Sequence, residues 1–209
     1  MSGVTPVLPD GLADKDRVVL EGVDGSRRGA VSMEGYTGRF DRQASVSTVN
    51  GVTNNRFDAS FSLAGPGGEQ VIAICQTQDT TQERTNFLGL AVDVAVLPYV
   101  YDCELDAGDG QAGRLVVGEV TTSTFQPAGE RVGSVQLGAR LLTIRSNHAV
   151  QQTKMRAGPP VGYLFYEDDV AVAAVDLTGA RPVLILPEAG ETRRLAALAG
   201  LALALIQEG

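Results

Sequence analysis

The sequence has no tryptophan, one histidine (His148), two lysines (Lys15 and Lys154) and two cysteines (Cys75 and Cys103). Each scarcity narrows the chemistry. Any Ser–His–Asp or Cys–His arrangement must use His148, and nothing around Ser146-Asn147-His148 has the form of a nucleophile elbow. A zinc site needs ligands beyond His148, Cys75 and Cys103, and their spacing matches no zinc pattern. His148 is therefore expected in a surface loop.

Positive charge is also scarce. Seventeen basic residues stand against 25 acidic ones, for a net charge of −8. A nucleic-acid binder needs clustered cations to neutralise phosphates, and an anionic membrane surface repels an acidic chain. Arg27-Arg28 and Arg193-Arg194 are pairs, not clusters. No nucleic-acid partner is expected.

Long hydrophobic runs are lacking too. The longest, Leu195–Ile206 (LAALAGLALALI), has 12 residues. As a helix it measures roughly 18 Å, against a hydrocarbon core of about 30 Å, so it is too short to span a membrane. Met1–Asp10 carries neither a positive charge nor an apolar run, so no leader is visible. The default expectation is a cytoplasmic protein, with a periplasmic or extracellular one as the alternative. The two cysteines leave that choice open: half-cystines bridge in an oxidising compartment, and buried thiols are equally normal in cytosol. Cys75 and Cys103 are the candidate disulfide.

Glycine is abundant, at 25 residues, while aromatics make up 5%. That mix suits tight turns between strands packed with Val, Ala and Leu. With 209 residues, 44% hydrophobic and 20% charged, the chain fits one globular domain. Residues 1–16, with two prolines and no periodicity, read as an N-terminal arm or loosely docked edge. Residues 17–209 read as a single β-rich domain.

From Arg17 onward the pattern is strand and turn. Arg17–Gly22 precedes an Asp24-Gly25 turn. Gly35–Asp41 and Gly51–Asp58 echo each other, as expected of two successive hairpin strands meeting the same local requirement. Phe57–Leu63 alternates cleanly, Gly65–Gly68 turns, and Gln70–Gln76 is a β-branched run. Thr77–Asn86 reads as a polar loop. Phe87–Leu97 is nearly continuously apolar and is expected to be buried on both faces, with Pro98 breaking it. Tyr99, Tyr101, Cys103 and Leu105 then share one face. Arg114–Val120 is a strand, Gln126–Arg131 a turn, and Val132–Ile144 a strand with a bulge or bend. Ser146–Pro160 is polar. Val161–Tyr166 and Val170–Leu177 form a hairpin about Glu167-Asp168-Asp169, and Pro182–Leu186 follows.

The last segment differs in kind. Pro187–Glu191 places acidic residues at a helix start, and residues 191–207 are expected to form a helix. Its Leu195–Ile206 stretch is apolar on every face, which requires protein all round it.

Acidic clusters give no site. Asp102, Glu104, Asp106 and Asp109-Gly110 have calcium-loop alternation, yet Ala107 stands where that loop needs glycine and Gly113 where it needs its bidentate glutamate. Gly65–Gly68 and Gly108–Gly110 lack the lysine and helix of a phosphate loop. No catalytic, cofactor-binding or metal-binding residue is expected.

Val161–Leu177 with its acidic turn, Pro182–Leu186 and Glu191–Gln207 together resemble the tubby-like superfamily, which includes phospholipid scramblase-like and LURP-one-related proteins. The resemblance covers about a quarter of the chain and implies a closed barrel of about a dozen antiparallel strands around one C-terminal helix. Closure removes exposed sheet edges, and such a barrel has an interior that a helix can fill. A β-sandwich with a packed C-terminal helix is the alternative architecture. Tubby proteins bind phosphoinositides through basic side chains, and no Lys/Arg cluster here maps onto them. The resemblance thus implies a non-enzymatic binding or scaffold module, with a protein or lipid-like partner. An exported envelope or lipoprotein-like domain that binds an apolar ligand, or a subunit of a larger assembly, is the alternative.

Overall fold

The computed structural model describes residues 5–85, 91–108, 110–120, 129–151 and 158–206, with backbone alone at 78, 83–85 and 91–96. Among the described residues, twelve strands precede one α-helix. They are β1 (Asp16–Val19), β2 (Arg28–Met33), β3 (Tyr36–Val49), β4 (Val52–Ala64), β5 (Gln70–Thr85) and β6 (Ala91–Asp106). Then follow β7 (Ala112–Glu119), β8 (Arg131–Leu137), β9 (Arg140–Asn147), β10 (Gly162–Glu167), β11 (Val170–Asp176), β12 (Val183–Leu186) and helix α1 (Glu191–Ala204).

All twelve strands belong to one antiparallel sheet, not the two of the sandwich alternative. From β2 to β12 the spatial order is the chain order, and β1 pairs with β12. The two ends of that order meet just past β1, where Glu21 and Ser32 exchange backbone hydrogen bonds at 3.1 Å.

Local chemistry sets the turns. Glu34-Gly35 (φ 48° and 80°) and Asn50-Gly51 (φ 51° and 74°) are two-residue connections with both central residues left-handed. That is the geometry a tight hairpin needs to match strand twist, and glycine reaches it without strain. The Gly35 and Gly51 echo thus marks the same turn used twice. Asp168-Asp169 (φ 48° and 62°) makes the same turn between β10 and β11 without glycine.

Several expectations are corrected. Thr77–Thr85 is not a loop: β5 runs on through it, paired with β4 on one side and β6 on the other. Pro98 does not break β6. The register slips opposite Gln78–Thr81 and leaves Pro98 without a ladder partner, so its missing N–H costs no bond. Leu97 is half exposed, contrary to burial on both faces, and Phe87–Leu90 lie outside the described residues. Val132–Ile144 is two strands, because Gly138 (φ 57°) opens a two-residue connection that pairs Leu137 with Arg140. The predicted helix end at residue 207 gives way to Ala204.

The N-terminal arm is docked. Val7 N–H donates to Ala149 O at 2.9 Å, and Asn147 Nδ2 donates to Val7 O at 2.8 Å. A 3-10 turn at Asp10–Leu12 buries Leu12 against Ala174 and Ile185 on the far side of the sheet from the helix.

The helix is the core. Every residue from Leu195 to Leu205 is buried. Strands β8 to β12 pack against it, and Met33 and Tyr36 line a cleft with Ala197 and Leu198 at its start. Gly200 marks a close approach: a Cβ there would stand 2.4 Å from Leu184 Cδ2. Arg193 ties the first turn to the sheet through Asp16, Glu34 and the Pro187 carbonyl.

Candidate functional site

The end of helix α1 is buried, and its last carbonyls need donors. Two side chains from distant strands supply them. Tyr101 Oη on β6 donates to Ala202 O at 2.8 Å, and Arg42 Nη1 on β3 donates to Leu205 O at 3.3 Å. A cation at the negative end of the helix dipole is favourable. Arg42 is 4% exposed, and its Nε also donates to Ser26 O at 2.7 Å. Burial pushes its pKa down, opposed by Asp24. Its Nη2 has no hydrogen-bond partner among the described residues. Burial likewise pushes the Tyr101 phenol well above its ordinary value, with Tyr99 and Tyr163 adding to the effect.

Beyond this helix end, β3 to β6 continue as a sheet whose inner face is open. Ala44, Val46, Asn55, Phe57, Asp79 and Ile206 line a groove there of about 400 Å³, with Tyr99 at its side. The inner face changes character where the helix stops. Phe61, Ala59 and Phe57 are buried in apolar contact, whereas the next residue on that face of β4, Asn55, donates to Asp79 Oδ2 at 2.9 Å. Arg56, on the other face, is held by both Asp58 oxygens, which raise its pKa. The groove therefore has an apolar floor and one amide–carboxylate pair on its wall.

The residues singled out from sequence do not gather at this groove. Cys75 and Cys103 lie directly opposite on β5 and β6, joined as a disulfide with their Cα atoms 3.9 Å apart, and both are buried. No family model, curated protein or solved structure matches the chain. The site must therefore be read from its own geometry.

His148 is not in a surface loop: it is 4% exposed, with Nε2 2.9 Å from Ser146 Oγ. Ser146 Oγ also accepts the Arg131 backbone N–H at 2.8 Å, and the Arg131 guanidinium bonds Tyr163 Oη at 3.0 Å and stacks 4.0 Å over Tyr99. These bonds tie β8, β9 and β10 together.

Asp102, Asp106 and Glu167 are engaged in structure. Asp102 holds Arg114, with Arg114 Nε 2.9 Å from Oδ1, and Asp106 accepts the Gly108 N–H in its turn. Asp109 lies outside the described residues. Glu167 pairs with Arg140 at 2.9 Å, and Asp168 and Asp169 form the hairpin turn. Among the described residues no three His, Cys, Asp or Glu side chains converge to hold a metal. No described helix is long and apolar enough to cross a membrane.

The groove was not foreseen from sequence. Its lining comes from four strands and from Ile206 just past the helix, and only the alternation at Phe57 and Ala59 hinted at an inner face there.

Proposed function

We propose that the chain is a non-enzymatic binding or scaffold module of tubby-like type, a closed barrel wrapped around its C-terminal helix. The observation that carries this reading is the burial of α1 on every face. Twelve sequential strands and the Glu21–Ser32 bridge between the ends of the order support closure. The helix fills the space the strands surround, so a ligand must bind at the rim. The groove above Leu205 is where the apolar interior opens to solvent, and an apolar floor with a few polar groups is the usual composition of a ligand site.

The test uses a neutral, environment-sensitive dye, Nile red. The folded chain should bind it saturably with blue-shifted emission, and Ile206→Gln, at the groove floor, should remove most of that signal while leaving the thermal melt in place. Unchanged dye emission with wild-type protein would contradict a rim site.

A second reading is favoured by the Cys75–Cys103 disulfide: an exported envelope or lipoprotein-like domain whose rim takes an apolar ligand or partner. Disulfides persist in oxidising compartments and are rare in cytosol. Counting free thiols in denatured protein from its native host separates the readings. Zero thiols favours export, and two favours the reducing interior of a cell.

A further inference from the structure

The groove past the helix end is graded in polarity. Ladder register sets part of its lining in two rows across the inner face of β3, β4 and β5. Ala44, Phe57 and Thr77 stand opposite one another in the row nearer the helix, and Val46, Asn55 and Asp79 in the next. Successive rows on one face of a sheet lie about 7 Å apart, the rise of two residues. Ile206, just past the helix, also lines the groove.

Asp79 is half-buried in the outer row, and its Oδ2 accepts Asn55 Nδ2 at 2.9 Å. That bond orients the carboxylate and uses one of its oxygens. Oδ1 receives no hydrogen bond from any described residue, and no described cation pairs with Asp79.

The cations nearby are engaged elsewhere. Arg56, which also borders the groove, is gripped by both oxygens of Asp58 on the opposite face of β4. Arg42 donates to the Leu205 and Ser26 carbonyls, and the negative end of the helix dipole offsets its charge. Arg131 bonds Tyr163 Oη and stacks over Tyr99. Neither Arg42 nor Arg131 lines the groove.

These placements say what the groove attracts. Low-dielectric walls focus the field of a carboxylate into the space beside it, so an anion is repelled there. A neutral ligand gains little from Oδ1. A cation with N–H groups satisfies it, and a charge-assisted hydrogen bond is roughly twice as strong as a neutral one. The volume, about 400 Å³, is near the lower end of ligand pockets and fits a small molecule, not a folded partner. The two rows set charge and apolar surface side by side, with the charge on the side away from the helix.

We propose that the groove takes a small amphipathic amine, whose apolar body lies on Ala44, Phe57 and Ile206 and whose protonated nitrogen donates to Asp79 Oδ1. This rests on the rim-site reading above and names the ligand class for it. An alkylamine is protonated at neutral pH, as a lysine side chain is.

The test is isothermal titration calorimetry with three probes of one chain length, octylamine, octanol and octanoate, at pH 7 and low salt. Octylamine should bind about tenfold or more tighter than octanol, the effect of one hydrogen bond to a charged group. Octanoate should bind more weakly than octanol. Added salt should narrow the gap between amine and alcohol, because Asp79 is only half-buried. Asp79→Asn keeps an acceptor for Asn55, so it should fold as wild type does, and it should bind amine and alcohol alike. Nile red separates this proposal from the reading it rests on. If the dye binds and octylamine binds no tighter than octanol, the amine proposal falls and the rim site stands. If dye and probes all fail to bind, both fall. A folded Asp79→Asn variant that still prefers the amine also overturns the proposal.

Discussion

The buried Tyr101 hydroxyl on β6 donates to the carbonyl of Ala202 at 2.8 Å. Separated by 101 residues, the two groups solve one problem. A helix that ends in an apolar interior leaves carbonyls without partners, and each unpaired one costs about 1–3 kcal/mol. Ala202 sits in the last turn of α1, and Tyr101 supplies the donor that the ended helix lacks.

Tyr101→Phe should therefore destabilise the protein by about 1–3 kcal/mol at neutral pH while preserving shape. Burial raises the folded-state phenol above its unfolded value near 10. The folded chain then holds a proton that the unfolded chain releases, so stability is full below about pH 10 and falls as pH rises beyond it. Phe has no such proton. Urea midpoints at pH 8 and above pH 10 should show the wild type losing its advantage over Tyr101→Phe, and a constant gap between them would refute the burial.

Gly200 should resist replacement by the best helix former. In an exposed helix Gly→Ala gains about 0.5–1 kcal/mol. Here the new methyl would meet Leu184 Cδ2 at 2.4 Å, in a side chain that is itself fully buried. Gly200→Ala should lose about 1–3 kcal/mol net through overpacking. A melt shifted upward would show that the helix and β12 are less tightly joined than described.

Leu201, fully buried on the same helix, tests the polarity of its surroundings. Leu201→Ala should cost about 2–5 kcal/mol and leave a folded protein. Leu201→Asp puts a carboxylate where no face turns to water and should prevent soluble folding. Equal stability of the two variants would mean that water reaches the site.

The disulfide closes a loop across a sequence separation of 28. Loop entropy makes this worth about 3–4 kcal/mol, so the double variant Cys75→Ala, Cys103→Ala should unfold at markedly lower denaturant. Both sulfurs are buried, so mild reductant should leave the native protein oxidised until it opens. Rapid reduction without unfolding would contradict that placement.

How much of this was legible in the sequence depended on whether a strand has a buried face. Phe57, Ala59, Phe61 and Leu63 alternate because one side of β4 meets the core, and that strand was plain. Thr77–Thr85 was misread as loop because the overhang of β5 lies beyond the end of the helix, so no core imposes an apolar alternation there. Gly138-Ala139 hid a hairpin, since it is not one of the Asn-Gly or Asp-Gly pairs that announce one. His148 was misplaced because its burial accompanies the docking of residues 5–7 beside Asn147 and Ala149, a contact made across 140 positions of sequence. The helix was the most legible element, because a segment apolar on all faces admits few environments. The groove and the Arg42 cap were not legible, since each exists only once the helix end meets β3.

The barrel proposed above encloses α1, whereas an open sheet would only lie against it. Native-state hydrogen exchange tests this directly. The amides of Leu198 to Leu203 should be among the slowest in the chain and should exchange only with the opening free energy of global unfolding. Fast exchange along the helix, at a free energy well below that of the strands around it, would show a helix that can leave its site and would contradict the account.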